Sequence, residues 1–198
     1  MAGGLIDLSF TDLNGADLVR ANLRGANLTG TWLVGDLANP DGPSSTVAMV
    51  RSRNAAIEYL VLGDSPIVFA TMDGVMLVAD DRVDQLHPAG RPYSRAFVRS
   101  KRNTAGGFWV ASTNPKAAYE AVSGAAERPM RVALLTDGVT RLTSHYGYEW
   151  REVLAVLERE GPAGLIRQVR EEESNSPLPE YESGKRHDDA TAIYIHAP

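Results

Sequence analysis

The sequence predicts an α+β fold in which antiparallel β-sheets are flanked by helices. Four short apolar runs, at residues 46–50, 57–62, 66–69 and 75–78, are separated by only a few residues rich in Asn, Gly, Asp and Ser. Links this short join antiparallel neighbours. Further on, Val132-Ala-Leu-Leu135 is too short for a helix and apolar at every position, as in a strand buried on both faces. Apolar residues at helical spacing fill the last third of the chain, and strands followed by helices imply helices packed on an antiparallel sheet.

Residues 6–35 come first and stand apart. Leu8, Leu13, Leu18, Leu23, Leu28 and Leu33 recur every fifth residue. Leucines five apart step by about 140° around a helix and alternate between the faces of a strand, so period five fits neither element. With Ala16, Ala21 and Ala26 two residues before successive leucines, the segment resembles the pentapeptide-repeat family, whose repeats build a right-handed β-helix. That resemblance implies about one and a half coils, too few to bury a core without stacking on the main domain or on another copy of the chain. The competing reading is a helix from Asp12 to Arg24, opposed by Gly15, Gly25 and Gly30 at about 1 kcal/mol each relative to alanine. The expected organisation is a pentapeptide-repeat-like segment at 1–35 and one domain at 36–198.

Asp36 to Ser45 is a turn-rich junction containing Pro40, Asp41-Gly42 and Pro43. After the four strands, residues 80–101 read as a charged loop over the surface and 106–110 as a further strand. Asn114-Pro115 is the N-cap and first residue of a helix. Trp150, Val153, Leu154 and Leu157 share one helical face. Gly161-Pro162 ends that helix and starts another carrying Leu165, Ile166 and Val169 inward. A polar loop at 174–185 leads to the last strand, 191–195.

The 198 residues, 43% of them hydrophobic and 23% charged, suit one good-sized domain. A net charge of −5 opposes broad binding to nucleic acid or anionic membrane. Arg91, Arg95, Arg99, Lys101 and Arg102 form a local basic cluster, either a solvated surface or a dock for an acidic or phosphorylated partner. With no cysteine, and four histidines without ligand-like spacing, zinc chemistry is not expected. Any metal would be held by oxygen, which favours magnesium, manganese or calcium. Neither a secretory leader nor a bilayer-length apolar run is visible, so the expected location is cytoplasmic.

The chemistry-bearing residues are acids. Asp137 follows the buried run directly, and there it is either a ligand or the cap of the next helix. Asp188 and Asp189 open the last strand, where adjacent like charges call for a cation, whether a metal or Lys185 and Arg186. Asp64, in Gly63-Asp64-Ser65, suits a turn as well as a ligand. Asp73 before Gly74 reads as a hairpin turn.

Gly63-Asp64-Ser65 between strands, Asp137-Gly138 at a strand end and Asp188-Asp189-Ala190-Thr191 at the last strand resemble, in order and spacing, the PP2C-type metal-dependent serine/threonine protein phosphatases. The junction from Asp36, with 60–66, Arg102-Asn103, Gly107-Phe108-Trp109 and 185–191, is similar to the actinobacterial PP2C-like proteins. The resemblance covers residues 36–195 and implies a β-sandwich flanked by helices, a binuclear Mn2+ or Mg2+ centre whose bridging water attacks phosphorus directly, and a phosphoprotein or phosphopeptide substrate. It assigns Asp137 and Asp188 to one metal, Asp189 to the same region, and Asp64 to a weaker third-metal site.

Two departures follow. The family's Asp-Gly-x-Gly motif, which supplies the bridging aspartate, has no counterpart before Asp36, nor has its phosphate-gripping arginine. Arg141 stands where many members carry an acid. The chain alone is therefore expected to be an incomplete phosphatase, with a non-catalytic module assembled as a homo-oligomer through 6–35 as the alternative. The haloacid-dehalogenase motif is excluded at both Asp-Gly pairs, because Leu135 and Thr71 occupy the nucleophile's position.

Overall fold

The computed structural model describes residues 44–54, 56–86, 93–177 and 187–196. The pentads at 6–35, the junction up to Pro43, and Lys185 and Arg186 lie outside the described residues.

Strand β1 (Val47–Arg53) pairs antiparallel with β2 (Ala56–Leu62), Val47 lying opposite Leu62 and Arg53 opposite Ala56. The next link does not close a hairpin as its length predicted: β2 lies in one sheet and β3 (Ile67–Thr71) in another. Gly63 makes the crossover at φ +81°, and a Cβ there would meet Thr46 Cγ2 at 2.8 Å. Glycine alone takes that bend without strain. The Gly63 N–H donates to the buried Asp80 carboxylate at 2.9 Å, and Arg82 donates to both oxygens of the same group at 2.7 Å. Burial pushes the Asp80 carboxyl up, but the Arg82 guanidinium and the Gly63 amide outweigh it and hold the group below the usual carboxylate range.

β3 turns through Met72-Asp73 into β4 (Gly74–Val78), the hairpin that Asp73-Gly74 predicted. β5 (Val122–Glu127) joins β2, whereas β6 (Arg131–Leu135) joins β3 and is followed across the sheet by β7 (Ala192–His196). Among the described residues the strands thus form two antiparallel sheets, ordered β1-β2-β5 and β4-β3-β6-β7.

Side-chain alternation on the four-stranded sheet explains the layers. Ile67, Phe69, Val132 and Leu134 point to the smaller sheet and meet Ile57, Val61 and Ala126 there. Val68, Ala133 and Leu135 point the other way, onto α2 (Asp137–Ser144) and α3 (Trp150–Asn175), where Val139, Leu142, Leu157, Leu165 and Val169 complete a second core. β6 is therefore buried on both faces, which is why its sequence is continuously apolar. As expected, the helical run after Trp150 breaks at Gly161, whose φ of 69° and ψ of −176° are non-helical, so α3 consists of two helical segments, the second opening at Pro162.

Three expectations need correction. Residues 80–101 are not a bare loop: they include a 3-10 turn at Asp81–Leu86 and α1 (Arg95–Lys101), capped by the Ser94 hydroxyl accepting from the Phe97 N–H at 3.2 Å. Frequent charges hid that short helix. The 106–110 run forms no strand; it makes an isolated bridge at Phe108, with another at Ala111 just beyond it, and its apolarity serves burial, with Trp109 packed beside Leu62 and Ala117. Asn114 does cap the next element, its side chain accepting from the Lys116 N–H, but that element is a 3-10 turn at Pro115–Glu120. β5 follows it, and its small residues, Val-Ser-Gly-Ala-Ala, carry no alternating pattern to announce a strand. No helix among the described residues is long and apolar enough to cross a membrane.

Candidate functional site

Four of the acids singled out in the sequence, Asp64, Asp137, Asp188 and Asp189, gather at one end of the four-stranded sheet, with Asp73 in the hairpin at the other end. β6 ends there, β7 begins beside it with Ala192 opposite Leu135, and the Leu135 N–H donates to the Pro66 carbonyl at 3.1 Å, bringing the Asp64-Ser65 turn to the same end. Thr136 joins β6 to β7. Its N–H donates to the Thr191 carbonyl at 3.1 Å, its hydroxyl donates to the Asp189 carbonyl at 3.0 Å, and that hydroxyl accepts from the Thr191 N–H at 2.9 Å.

Asp137 is the first residue of α2, and its carboxylate accepts from the Gly138 N–H at 2.9 Å. It is exposed, so its charge stays out of the apolar interior despite its position directly after a buried strand. The cap of α2 is Thr136, whose side chain makes no capping bond to the helix, which corrects the reading of Asp137 as the cap. Gly138 is required by proximity: a Cβ would lie 2.4 Å from the Asp189 carbonyl oxygen. Sharing the hydroxyl bonds with this close approach, the start of α2 and residues 188–191 form one junction. Substituting Thr136 by valine is expected to cost about 1 kcal/mol, the net worth of a hydrogen bond that leaves its partners near water, read as a shift in denaturation midpoint.

Behind the junction lies a network that the sequence reading did not find. Arg141 and Glu173 are buried, and Arg141 Nη1 donates to Glu173 Oε1 at 2.8 Å. Glu173 Oε2 accepts from Arg170 Nη1 at 2.7 Å and lies 2.8 Å from His187 Nδ1. Arg141 Nη2 stands 3.6 Å from Asp188 Oδ2, while Asp188 Oδ1 accepts from the Asp189 N–H at 3.0 Å and Arg170 Nη2 donates to the Asp188 carbonyl at 2.6 Å. Burial raises the Glu173 carboxyl, but the bonds from His187, Arg170 and Arg141 outweigh it and hold it below the usual range. A signal was available in the sequence: Glu173 continues the apolar stripe Leu165, Val169 at the same four-residue step.

Among the described residues no three His, Asp or Glu side chains converge as a metal-binding group. Asp188 is partly buried and engaged by Arg141, whereas Asp189 and Asp137 are exposed. This donor set does not fit a binuclear centre, which needs more carboxylates than the two that the junction brings together. Of the two, Asp188 already faces the Arg141 guanidinium.

The pentapeptide-repeat family matches residues 6–35, with eight copies. No curated protein matches the chain. Among solved structures, the chain is similar to serine-threonine phosphatase 2C from Toxoplasma gondii at 14% identity and TM-score 0.48, over 79% of this chain and 59% of that one. It is also similar to PppA of Pseudomonas aeruginosa at 17% identity and TM-score 0.47, over 78% and 57%. A third is the catalytic domain of the serine threonine protein phosphatase PstP in complex with 2 manganese ions, at 15% identity and TM-score 0.43, over 76% and 57%. The chain thus spans less than two thirds of the length of these structures. Similarity this distant transfers no activity, substrate or metal.

Proposed function

We propose that this chain carries a PP2C-like, metal-dependent phosphoserine/phosphothreonine protein phosphatase domain of which residues 44–196 supply one side of the metal edge. The observation that carries the reading is the Thr136 junction: it joins the strand end bearing Asp137 to the strand start bearing Asp188. The motif resemblance, which covers Asp64, Asp137, Asp188 and Asp189, points the same way. A Mn2+ or Mg2+ ion bound there would supply electrostatic stabilisation and a lowered water pKa. The chain's own contribution is to fix two carboxylates through backbone and hydroxyl hydrogen bonds, with Asp137 open to solvent and Asp188 held from behind. Asp189 and Asp64 lie at the same end of the sheet and are assigned supporting parts in cation binding. The substrate class is a phosphoprotein or phosphopeptide, and turnover requires carboxylates beyond this pair.

The test is hydrolysis of p-nitrophenyl phosphate and of a phosphothreonine peptide by the full chain over a range of Mn2+ concentrations. The expected outcome is slow hydrolysis that requires millimolar rather than micromolar Mn2+, stops on chelation and is lost in Asp137→Ala. Hydrolysis indifferent to chelator and to Asp137→Ala would overturn the reading.

The Arg141–Asp188 contact favours one alternative, a phosphatase-like scaffold without turnover. That reading expects no hydrolysis at any Mn2+ concentration, and a defined oligomer that is lost when residues 1–35 are deleted. Light scattering on the two proteins checks it.

A further inference from the structure

We infer that Arg141 is the built-in counter-ion of Asp188, occupying the charge position that a metal would otherwise fill, so that a divalent cation binds this edge only by displacing the guanidinium. The inference rests on the cation-binding reading of Asp137 and Asp188 and concerns how that site is controlled.

The geometry begins on α2. Asp137 and Arg141 are four residues apart and therefore neighbours on the helix surface, but they face different surroundings. Asp137 is exposed, whereas Arg141 is buried and reaches Asp188 from inside the protein. Glu173 fixes the guanidinium in that position, taking Nη1 at 2.8 Å while Nη2 faces the Asp188 carboxylate. The same Glu173 holds Arg170, whose other nitrogen is bonded to the Asp188 carbonyl. One buried carboxylate thus orients two arginines from two helices, one on the side chain of Asp188 and one on its backbone. Among the described residues, the Arg141 and Arg170 guanidinium groups and His187 thus face the carboxylates of Glu173 and Asp188.

A cation arriving at Asp188 meets a like charge that burial and the Glu173 bond resist releasing, so displacing it costs binding affinity. Repulsion at such range in a partly desolvated site is strong. The edge is consequently stable when empty and weak as a ligand. Removing the positive charge of Arg141 frees Asp188 to serve the cation.

The experiment measures Mn2+ binding to the full chain by the loss of the free-ion paramagnetic resonance signal, for wild type, Arg141→Gln, Arg141→Lys and Arg141→Gln/Asp188→Asn. Affinity is expected to rise about tenfold in Arg141→Gln, the scale of one neighbouring-charge effect, to stay near wild type in Arg141→Lys and to fall back in the double variant. If Arg141→Gln loses its fold by circular dichroism, Arg141→Gln/Glu173→Gln, which replaces the ion pair by two amides, is read the same way. Equal Mn2+ affinity of wild type and the charge-removed variant overturns the inference, as does micromolar binding by wild type with Arg141 in place. Because hydrolysis is not the readout, tightened binding without turnover leaves this inference standing and removes the phosphatase reading. Tight wild-type binding with turnover does the reverse.

Discussion

Replacing Glu173 by alanine is expected to destabilise the protein by about 3–5 kcal/mol, the usual cost of removing one partner from a buried ion pair. The side chain is 1% exposed, yet three donors, Arg141, Arg170 and His187, converge on its two oxygens. Without it the buried Arg141 guanidinium loses its 2.8 Å bond and keeps Asp188 at 3.6 Å. For a chain of this length the melting temperature should fall by on the order of 10 °C. Calorimetry checks this; a loss below about 1 kcal/mol would show that the network is not a structural centre.

The same group sets an acid limb. Its folded-state carboxyl is held below the ordinary glutamate value of 4.5, so the unfolded chain takes up the proton first as the pH falls. The stability it contributes is fully present above about 4.5 and drains away as the pH drops through the lower folded value. Glu173→Gln should therefore be less stable than wild type at neutral pH, with the gap closing under acid. A constant gap across that range would contradict the assignment.

The second large effect is expected at Gly138. In Gly138→Ala the new methyl group would sit 2.4 Å from the Asp189 carbonyl oxygen and 2.8 Å from its carbon. Both are backbone atoms, so the clash is relieved only by moving the start of β7 away from α2. Overpacking of this kind costs about 1–3 kcal/mol, and here it also parts Asp137 from Asp188. The variant should keep its far-ultraviolet circular dichroism, melt at lower temperature and lose whatever Mn2+ binding wild type shows. Unchanged melting would mean that the junction has slack.

Local chemistry was legible where one residue type has one use. Asp73-Gly74 gave its hairpin, Asn114 its cap, and the unbroken apolar run before Asp137 gave a strand covered on both sides. Legibility failed where tertiary contacts overrode local pattern. The three residues after Leu62 looked like a hairpin turn, yet Gly63 turns the chain into the other sheet, because Asp80 and Thr46 hold that bend from distant parts of the sequence. Phe108-Trp109-Val110 looked like a strand because burial and strand pairing favour the same residues. β5 went unread for the opposite reason: its small side chains fit beneath Tyr59 without any alternating signature.

The candidate site divides in the same way. The acids Asp137, Asp188 and Asp189 could be named from their strand-end positions, since a carboxylate beside an apolar run demands an explanation wherever the chain goes. Their proximity depended on both flanking strands lying in one sheet, which the β6–β7 pairing supplies. What answers their charge did not follow. Lys185 and Arg186, adjacent in sequence, were the natural partners for Asp188, whereas among the described residues the observed ones are Arg141, four residues into α2, and Arg170, eighteen residues upstream on α3. Sequence by itself determined most of the strands, the helices after Asp137 and the strand-end positions of the acids, because hydrophobic periodicity and turn chemistry act over a few residues. Only the tertiary structure decided that a buried glutamate would turn an arginine toward that edge, because charge balance in a protein interior is set by what packing brings together.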